Sequence, residues 1–297
     1  MNDKLLGYLE ATRQLPSAPV LMIKLIECFR QPNHDIDEIV SLMAFDPSIT
    51  AEVLKCCNSS FFGSEEPVVD ISEAVFRLGF YEVYRVSVAM FGQQTMAAKH
   101  LQKIIDVDGL WRHCAITAVT SGAIARELEE TEGLAFTAGL LHDVGKMVLA
   151  SAEGAHYPEI WRATGNTGRE AATAEKYAFG FDHAEIGATL LARWGMPSVI
   201  YEPVMRHHHT TWPKPYERLS AIVSLGNLMA HCIDGVPAAT CCALPEAINA
   251  LEILGLTHDD MPALVTQAQN DMKRLKRLIP AKQDSAPLRA DMNLAMA

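Results

Sequence analysis

The stretch Gly139-Leu140-Leu141-His142-Asp143-Val144-Gly145-Lys146 sets a histidine and a carboxylate side by side in an apolar run, with a lysine three residues on. On a helix, adjacent side chains diverge by about 100°, so an imidazole and a carboxylate at consecutive positions can both reach one divalent cation. Apolar neighbours on both sides predict a dry pocket, where a polar group is costly unless something pairs with it. A metal is one such partner and an interhelical hydrogen bond is another; the residues alone leave both open. Lys146 lies about one turn beyond His142 and reads either as a cation of the same pocket or as a lysine reaching the surface along its methylene stem.

Helices must position these groups. From Leu15 onward apolar residues recur at helical spacing with few alternating β-branched runs, which predicts a nearly all-α protein. A proline-stiffened entry, Leu15-Pro16-Ser17-Ala18-Pro19, leads into a helix over Val20 to Arg30, and Asp35 with Glu38 reads as the capped start of another to Phe45. Asp46-Pro47 starts the next, and turn formers follow at Asn58 to Gly63. Asp70 or Ser72 caps a helix that stops at Gly79, and a further helix spans Tyr81 to Met96.

The second half carries more polar chemistry. His113 lies near the start of a helix expected over Leu110 to Glu129, and the next, over Leu134 to Ala152, holds His142, Asp143 and Lys146. After a loop at Gly165 to Gly168 comes a helix over Arg169 to Ala178. Asp182 caps one through His183 to Trp194, ended by Gly195. His207-His208-His209 ends the following helix, Asn227 sits within an apolar one over Leu219 to Cys232, and Leu244 to Leu254 and Met261 to Leu278 close the helical part. Beyond Pro280 small polar residues predict disorder.

Bulk properties narrow the partners. The chain has 297 residues, 49% of them hydrophobic, enough for a continuous core. A net charge of −11 argues against broad binding to nucleic acid or anionic membranes and favours a protein or small-molecule partner. No apolar stretch approaches the roughly 20 residues that span a bilayer, so a cytoplasmic protein is expected. Seven cysteines, an odd number without a C-x-x-C, make a poor disulfide framework and read as reduced, packed thiols.

Taken in order, these segments resemble the HDOD family, the HD-related output domains of bacterial signalling proteins. Leu15-Pro16 to Pro19, Phe45-Asp46-Pro47-Ser48-Ile49, Leu54 to Asn58-Ser59-Ser60-Phe61-Phe62-Gly63, Ile71 to Ala74 and Leu78-Gly79 carry the likeness, which extends over about Leu15 to Thr211. It implies a multi-helix HD-like bundle with an N-terminal helical subdomain. The expected division is an N-terminal arm at 1–14, the HDOD domain at 15–211 (N-terminal part 15–105, HD-like part 106–211), C-terminal helices at 212–280 packing on the HD-like part, and a tail from 281 to 297. The family is related to HD phosphohydrolases and to HD-GYP cyclic-di-GMP phosphodiesterases. Their metal pattern falls here on His113, His142, Asp143, His183, His207 and His208, with Asn227 in place of the last aspartate; His209 leaves the register of the pair open by one position.

The resemblance thus implies one or two divalent ions (Fe, Mn, Zn or Ni), with Asp143 between them and Lys146 contacting a phosphate if the protein is an enzyme. Two departures weigh against turnover: Asn227 removes a negative ligand, and His208-His209-Thr210-Thr211-Trp212-Pro213 lacks the Gly-Tyr-Pro continuation of the cyclic-di-GMP enzymes. The leading expectation is a signalling output or scaffold module with a protein partner and an HD-like, metal-binding pocket. The alternative is a metal-dependent phosphohydrolase acting on a nucleotide or cyclic dinucleotide. No kinase, receiver, cyclase or membrane segment accompanies the module in this sequence, so input is expected from another chain or a small ligand.

Overall fold

The computed structural model describes residues 3–11, 20–30, 40, 43–44, 47–58, 68–96, 101–165, 168–233, 235–236 and 238–278. Among these the regular structure is helical, without a strand. The proline-rich entry, most of the helix expected from Asp35 to Phe45, most of the Asn58 to Gly63 turn and the tail beyond Pro280 lie outside the described residues.

The N-terminal half contributes α1 (Asp3–Ala11), α2 (Val20–Arg30), α3 (Pro47–Cys57), α4 (Ile71–Leu78) and α5 (Phe80–Met96). Asp70 starts α4 by accepting from the backbone N–H groups of Ser72 and Glu73 at 2.7 and 3.1 Å, two donors that the helix itself leaves without partners. Gly79 ends it at φ 82°, in the left-handed region that only glycine enters cheaply. The Asn58 side chain donates to the Val68 carbonyl and accepts from the Val68 N–H, both at 2.7 Å.

The second half is built from α6 (Val107–Glu127), α7 (Glu132–Leu141), α8 (Val144–Ala152), α9 (Tyr157–Ala163), α10 (Gly168–Phe179), α11 (His183–Arg193), α12 (Ser198–Arg206) and α13 (Glu217–Ile233). Then come α14 (Ala238–Cys242), α15 (Pro245–Leu254) and α16 (Met261–Leu278). The short helices α9 and α14 were not among the expected elements. The single helix expected over Leu134 to Ala152 is also corrected: the chain breaks at His142-Asp143, His142 closing α7 and Asp143 opening α8 at φ −101° and ψ 9°. Asp143 occupies an N-cap position without making a cap bond, because its carboxylate is turned toward other groups.

One hydrophobic core runs through both halves, from Leu5, Met22 and Val53 through Val83 and Leu140 to Leu191 and Leu275. A second cluster, around Ile124, Ile222, Met229 and Leu251, ties α15 to α6 and α13, and Arg126 of α6 pairs with Asp271 of α16 at 2.5 Å. Two close helix crossings fix the spacing of the helices that carry the predicted site residues. A Cβ on Gly145 would lie 1.9 Å from the His183 carbonyl oxygen, so α8 and α11 touch backbone to backbone. A Cβ on Gly226 would lie 2.2 Å from Ser121 Oγ and 3.1 Å from its nitrogen, which seats α13 on α6. Each crossing lies within two residues of a predicted site residue, Asp143 in the first case and Asn227 in the second.

Candidate metal centre

The predicted residues come together around Asp143, and its two oxygens face different neighbours. Toward Oδ2 lie His142 Nε2 at 3.3 Å, His113 Nε2 at 3.8 Å and Lys146 Nζ, which donates at 2.8 Å. Toward Oδ1 lie His183 Nε2 at 3.2 Å and His207 Nε2 at 3.8 Å. His208 Nε2 is 2.9 Å from His183 Nε2, and Asn227 Oδ1 is 2.9 Å from His113 Nε2. Of the three consecutive histidines, His207 and His208 lie in this group and His209 is exposed. Lys146 is 1% exposed and bound to Asp143, so the reading of a surface-seeking lysine is excluded.

Helix ends bring these groups to one spot. His142 and Asp143 sit at the α7–α8 break, His183 is the first residue of α11, and His207 caps α12. The start of α11 is fixed by a reciprocal capping box: Asp182 accepts from the Glu185 N–H at 2.9 Å, and Glu185 accepts from the Asp182 N–H at 3.1 Å. His113 and Asn227 project from the interiors of α6 and α13.

The imidazoles are oriented from behind. His142 Nδ1 donates to the Gly139 carbonyl at 2.8 Å and His207 Nδ1 to the Val204 carbonyl at 2.7 Å, leaving each Nε2 lone pair directed at Asp143. Behind His183 is Glu175 of α10, fully buried. One of its oxygens accepts from His183 Nδ1 at 2.6 Å and from the His183 backbone N–H at 2.8 Å; the other accepts from the Tyr157 hydroxyl at 2.8 Å. The sequence reading missed Glu175, and it missed His231, whose ring centroid lies 4.5 Å from that of His113.

Electrostatics favour the ligand forms of Asp143, His113, His207 and His208. Burial raises the Asp143 carboxyl, but His142 and Lys146 outweigh it and hold the group well below the usual carboxylate range. Burial, helped by neighbouring imidazoles, pushes His113, His207 and His208 well below the ordinary histidine value, so they are neutral. His183 goes the other way: burial lowers it, yet the Glu175 carboxylate brings it to about 9.

These residues fit a divalent cation. Three buried atoms, His142 Nε2, His207 Nε2 and Asp143 Oδ1, have no hydrogen-bond partner. Each such unpaired group costs on the order of 1–3 kcal/mol, a large share of a typical net stability of about 5–15 kcal/mol, and a cation would remove that cost. Metal bonds of about 2.1 Å set neighbouring donors roughly 3 Å apart, comparable to the 2.9 and 3.2 Å separations around His183 Nε2. Two sets of donors, His113/His142/Asp143 and His183/His207/His208, each lie within 4.8 Å of one another and could hold a metal ion.

The model of the HDOD domain matches residues 15–210. The chain belongs to the HDOD family. A solved HDOD domain protein of unknown function from Geobacter sulfurreducens superposes with a TM-score of 0.71 at 20% identity, covering 94% of this chain and 99% of its own. An uncharacterized protein of Treponema pallidum is 25% identical over 228 residues, 74% of this HDOD chain and 43% of the relative. A ribonuclease Y of Acholeplasma laidlawii is 25% identical over 180 residues, 61% of this chain and 28% of that enzyme. The chain therefore spans less than half the length of these curated relatives. No helix among its described residues is long and apolar enough to cross a membrane.

Proposed function

We propose that this HDOD domain is a signalling output module whose His/Asp pocket is a metal centre serving as a structural core or ligand sensor rather than a site of turnover, and that it answers to a protein partner. The observation that carries the reading is the trio of buried, unpartnered donors on His142, Asp143 and His207. When bound, a divalent ion in such a site acts as a Lewis acid and lowers the pKa of bound water. The protein's own residues do the rest: Gly139 and Val204 carbonyls and Glu175 fix three imidazoles, and Asp143 supplies the central negative charge.

Three features weigh against turnover. Lys146 is committed to Asp143 at 2.8 Å, where a phosphate-contacting cation would need to face outward. Asn227 supplies no charge. His142, Asp143, Lys146, His183 and His207 are each at most 1% exposed, which leaves a phosphodiester no open face on the reacting atoms.

The second reading, a phosphohydrolase for a nucleotide or cyclic dinucleotide, draws on Lys146 lying beside the doublet and on the likeness to ribonuclease Y. Metal analysis of protein purified without an affinity tag, followed by hydrolysis of bis(p-nitrophenyl) phosphate with added Mn²⁺ or Fe²⁺, separates the two. Bound metal without turnover is expected. Turnover abolished by Asp143→Ala would establish the hydrolase, and protein that takes up no metal would leave only an architectural adaptor.

A further inference from the structure

Three of the seven cysteines, Cys232, Cys241 and Cys242, lie where α13 gives way to α14. The chain reverses just beyond Cys232: the Gly235 N–H donates to the Cys232 carbonyl at 3.1 Å and the Val236 N–H to the His231 carbonyl at 3.0 Å. Helix α14 then packs back on α13 and ends in Cys241 and Cys242. The reversal brings two thiols together, for the Cys232 S–H donates a hydrogen bond to the Cys241 sulfur. Cys241 is buried and Cys232 half-buried, so the pair is open to solvent on the Cys232 side.

The two sulfurs are not equivalent. The bond that Cys232 donates lowers the Cys241 thiol and raises Cys232, so one sulfur is the readier thiolate while the other keeps its proton. On α3, by contrast, burial pushes Cys56 up to about 12 and raises Cys57, which keeps both protonated and slow to react.

We propose that Cys232 and Cys241 form a redox-sensitive pair that hydrogen peroxide closes to an intramolecular disulfide, Cys241 attacking first and Cys232 resolving. The Cys241 thiolate attacks one peroxide oxygen, breaks the O–O bond and becomes a sulfenic acid as hydroxide leaves. Cys232 then gives up its proton, and its sulfur attacks the sulfenic sulfur and expels a second hydroxide. The pair loses two electrons to the peroxide, and the two thiol protons carry the hydroxides away as two waters. Exchange with an external thiol reopens the bond. Once closed, it ties the end of α13 to α14 next in sequence to His231, whose ring centroid lies 4.5 Å from that of His113. No metal takes part, so the inference stands or falls apart from the reading of the His/Asp pocket.

The whole chain, reduced, freed of reductant and kept dilute in EDTA, is treated with hydrogen peroxide, and its thiols are counted after unfolding. The count should fall by two from the seven of the sequence and return with dithiothreitol. A protease that cuts before aspartate separates Cys232 from Cys241 at Asp234, so non-reducing mapping should show those two peptides linked. Closure in the native chain should be at least about ten-fold faster than in urea, where the thiols have ordinary reactivity. Cys242→Ser should keep the link and Cys241→Ser abolish it, whereas Cys232→Ser should stop at a Cys241 sulfenic acid that dimedone traps. An unchanged count, a link through Cys242 or between two chains, or equal rates in urea would overturn the pair. A linked pair whose Cys232→Ser variant gives no dimedone adduct at Cys241 would overturn the order of attack.

Discussion

Asp143 answers to several partners at once, and removing it has two separable consequences. In any state, Asp143→Ala leaves Lys146 buried without its anion, a loss of about 3–5 kcal/mol for a broken buried pair. In the metal-loaded state it also removes the binding free energy linked to folding, about 2.7 kcal/mol when free metal is 100 times its Kd. Thermal melts of wild type and variant, each with metal and with chelator, should therefore show a larger drop for the loaded pair. At about 2–4 °C per kcal/mol the difference is roughly 5–11 °C. Equal drops would mean that the carboxylate serves Lys146 alone. At this scale much of the site was legible: the His142-Asp143 doublet stood out by residue type, the resemblance to the HD pattern added His113, His183, His207 and His208, and the structure brings these side chains together. Glu175 was not, because its helix, GREAATAEKYAF, is polar enough to pass for a solvated surface. Its signal was positional. Ala171, Glu175 and Phe179 recur at intervals of four and form the buried stripe, so the acid stands on the apolar face.

Helices rather than side chains decide whether these groups meet, and the smallest residues set the separations. The α8–α11 contact at Gly145 leaves no room for a methyl group, since the obstructing atoms, the His183 carbonyl and the Gly187 nitrogen, are backbone. Gly145→Ala must push α11 away and carry His183 from Asp143. Overpacking costs about 1–3 kcal/mol where neighbours can yield, and here the upper end or more is expected from the urea midpoint, together with lost metal affinity. An unchanged midpoint would show the crossing to be pliant. The α7–α8 break escaped the sequence reading for a related reason: Leu141-His142-Asp143-Val144 contains no glycine or proline, and the chain turns there to satisfy tertiary contacts of Asp143 rather than any local signal. Caps were legible where the side chain makes its own bond, as at Asp70 and Asp182. At Asp70 the backbone bonds from Glu73 and Ser72 lower the carboxyl pKa in the folded state. A depressed folded pKa means a contribution present in full above the ordinary carboxylate range and lost as pH falls through the lowered value. The stability gap between wild type and Asp70→Ala should accordingly close in acid, while Asp70→Asn, a comparable cap that does not titrate, should keep its advantage over alanine throughout. Urea midpoints between pH 7 and pH 3 report both trends.

Across the whole molecule, one of the two buried clusters joins helices of the N-terminal part to helices of the HD-like part. Leu5, Met22 and Val53 belong to the same buried cluster as Leu140, Val148 and Leu191. Helix α1 lies against the HD-like half, where Tyr8 packs edge-on to Phe181 at 5.0 Å and hydrogen-bonds Glu153. Phe179 in turn neighbours Tyr157, whose hydroxyl holds Glu175 behind His183. A core shared in this way should melt as one unit, and the chain carries its own reporters. All four tryptophans, Trp111, Trp161, Trp194 and Trp212, lie beyond residue 100, whereas far-UV circular dichroism follows helices in both halves. If the halves were independent, helix signal from the first would disappear while Trp161 and Trp212 kept their emission, Trp111 and Trp194 reporting the lost contacts at Gly92 and Phe91. A shared core predicts coincident transitions in urea, both moving together when metal is added or chelated, because a ligand of the native state stabilises the whole cooperative unit. Separated transitions, or a metal shift confined to the fluorescence trace, would mean that the contacts between the halves are too weak to couple them.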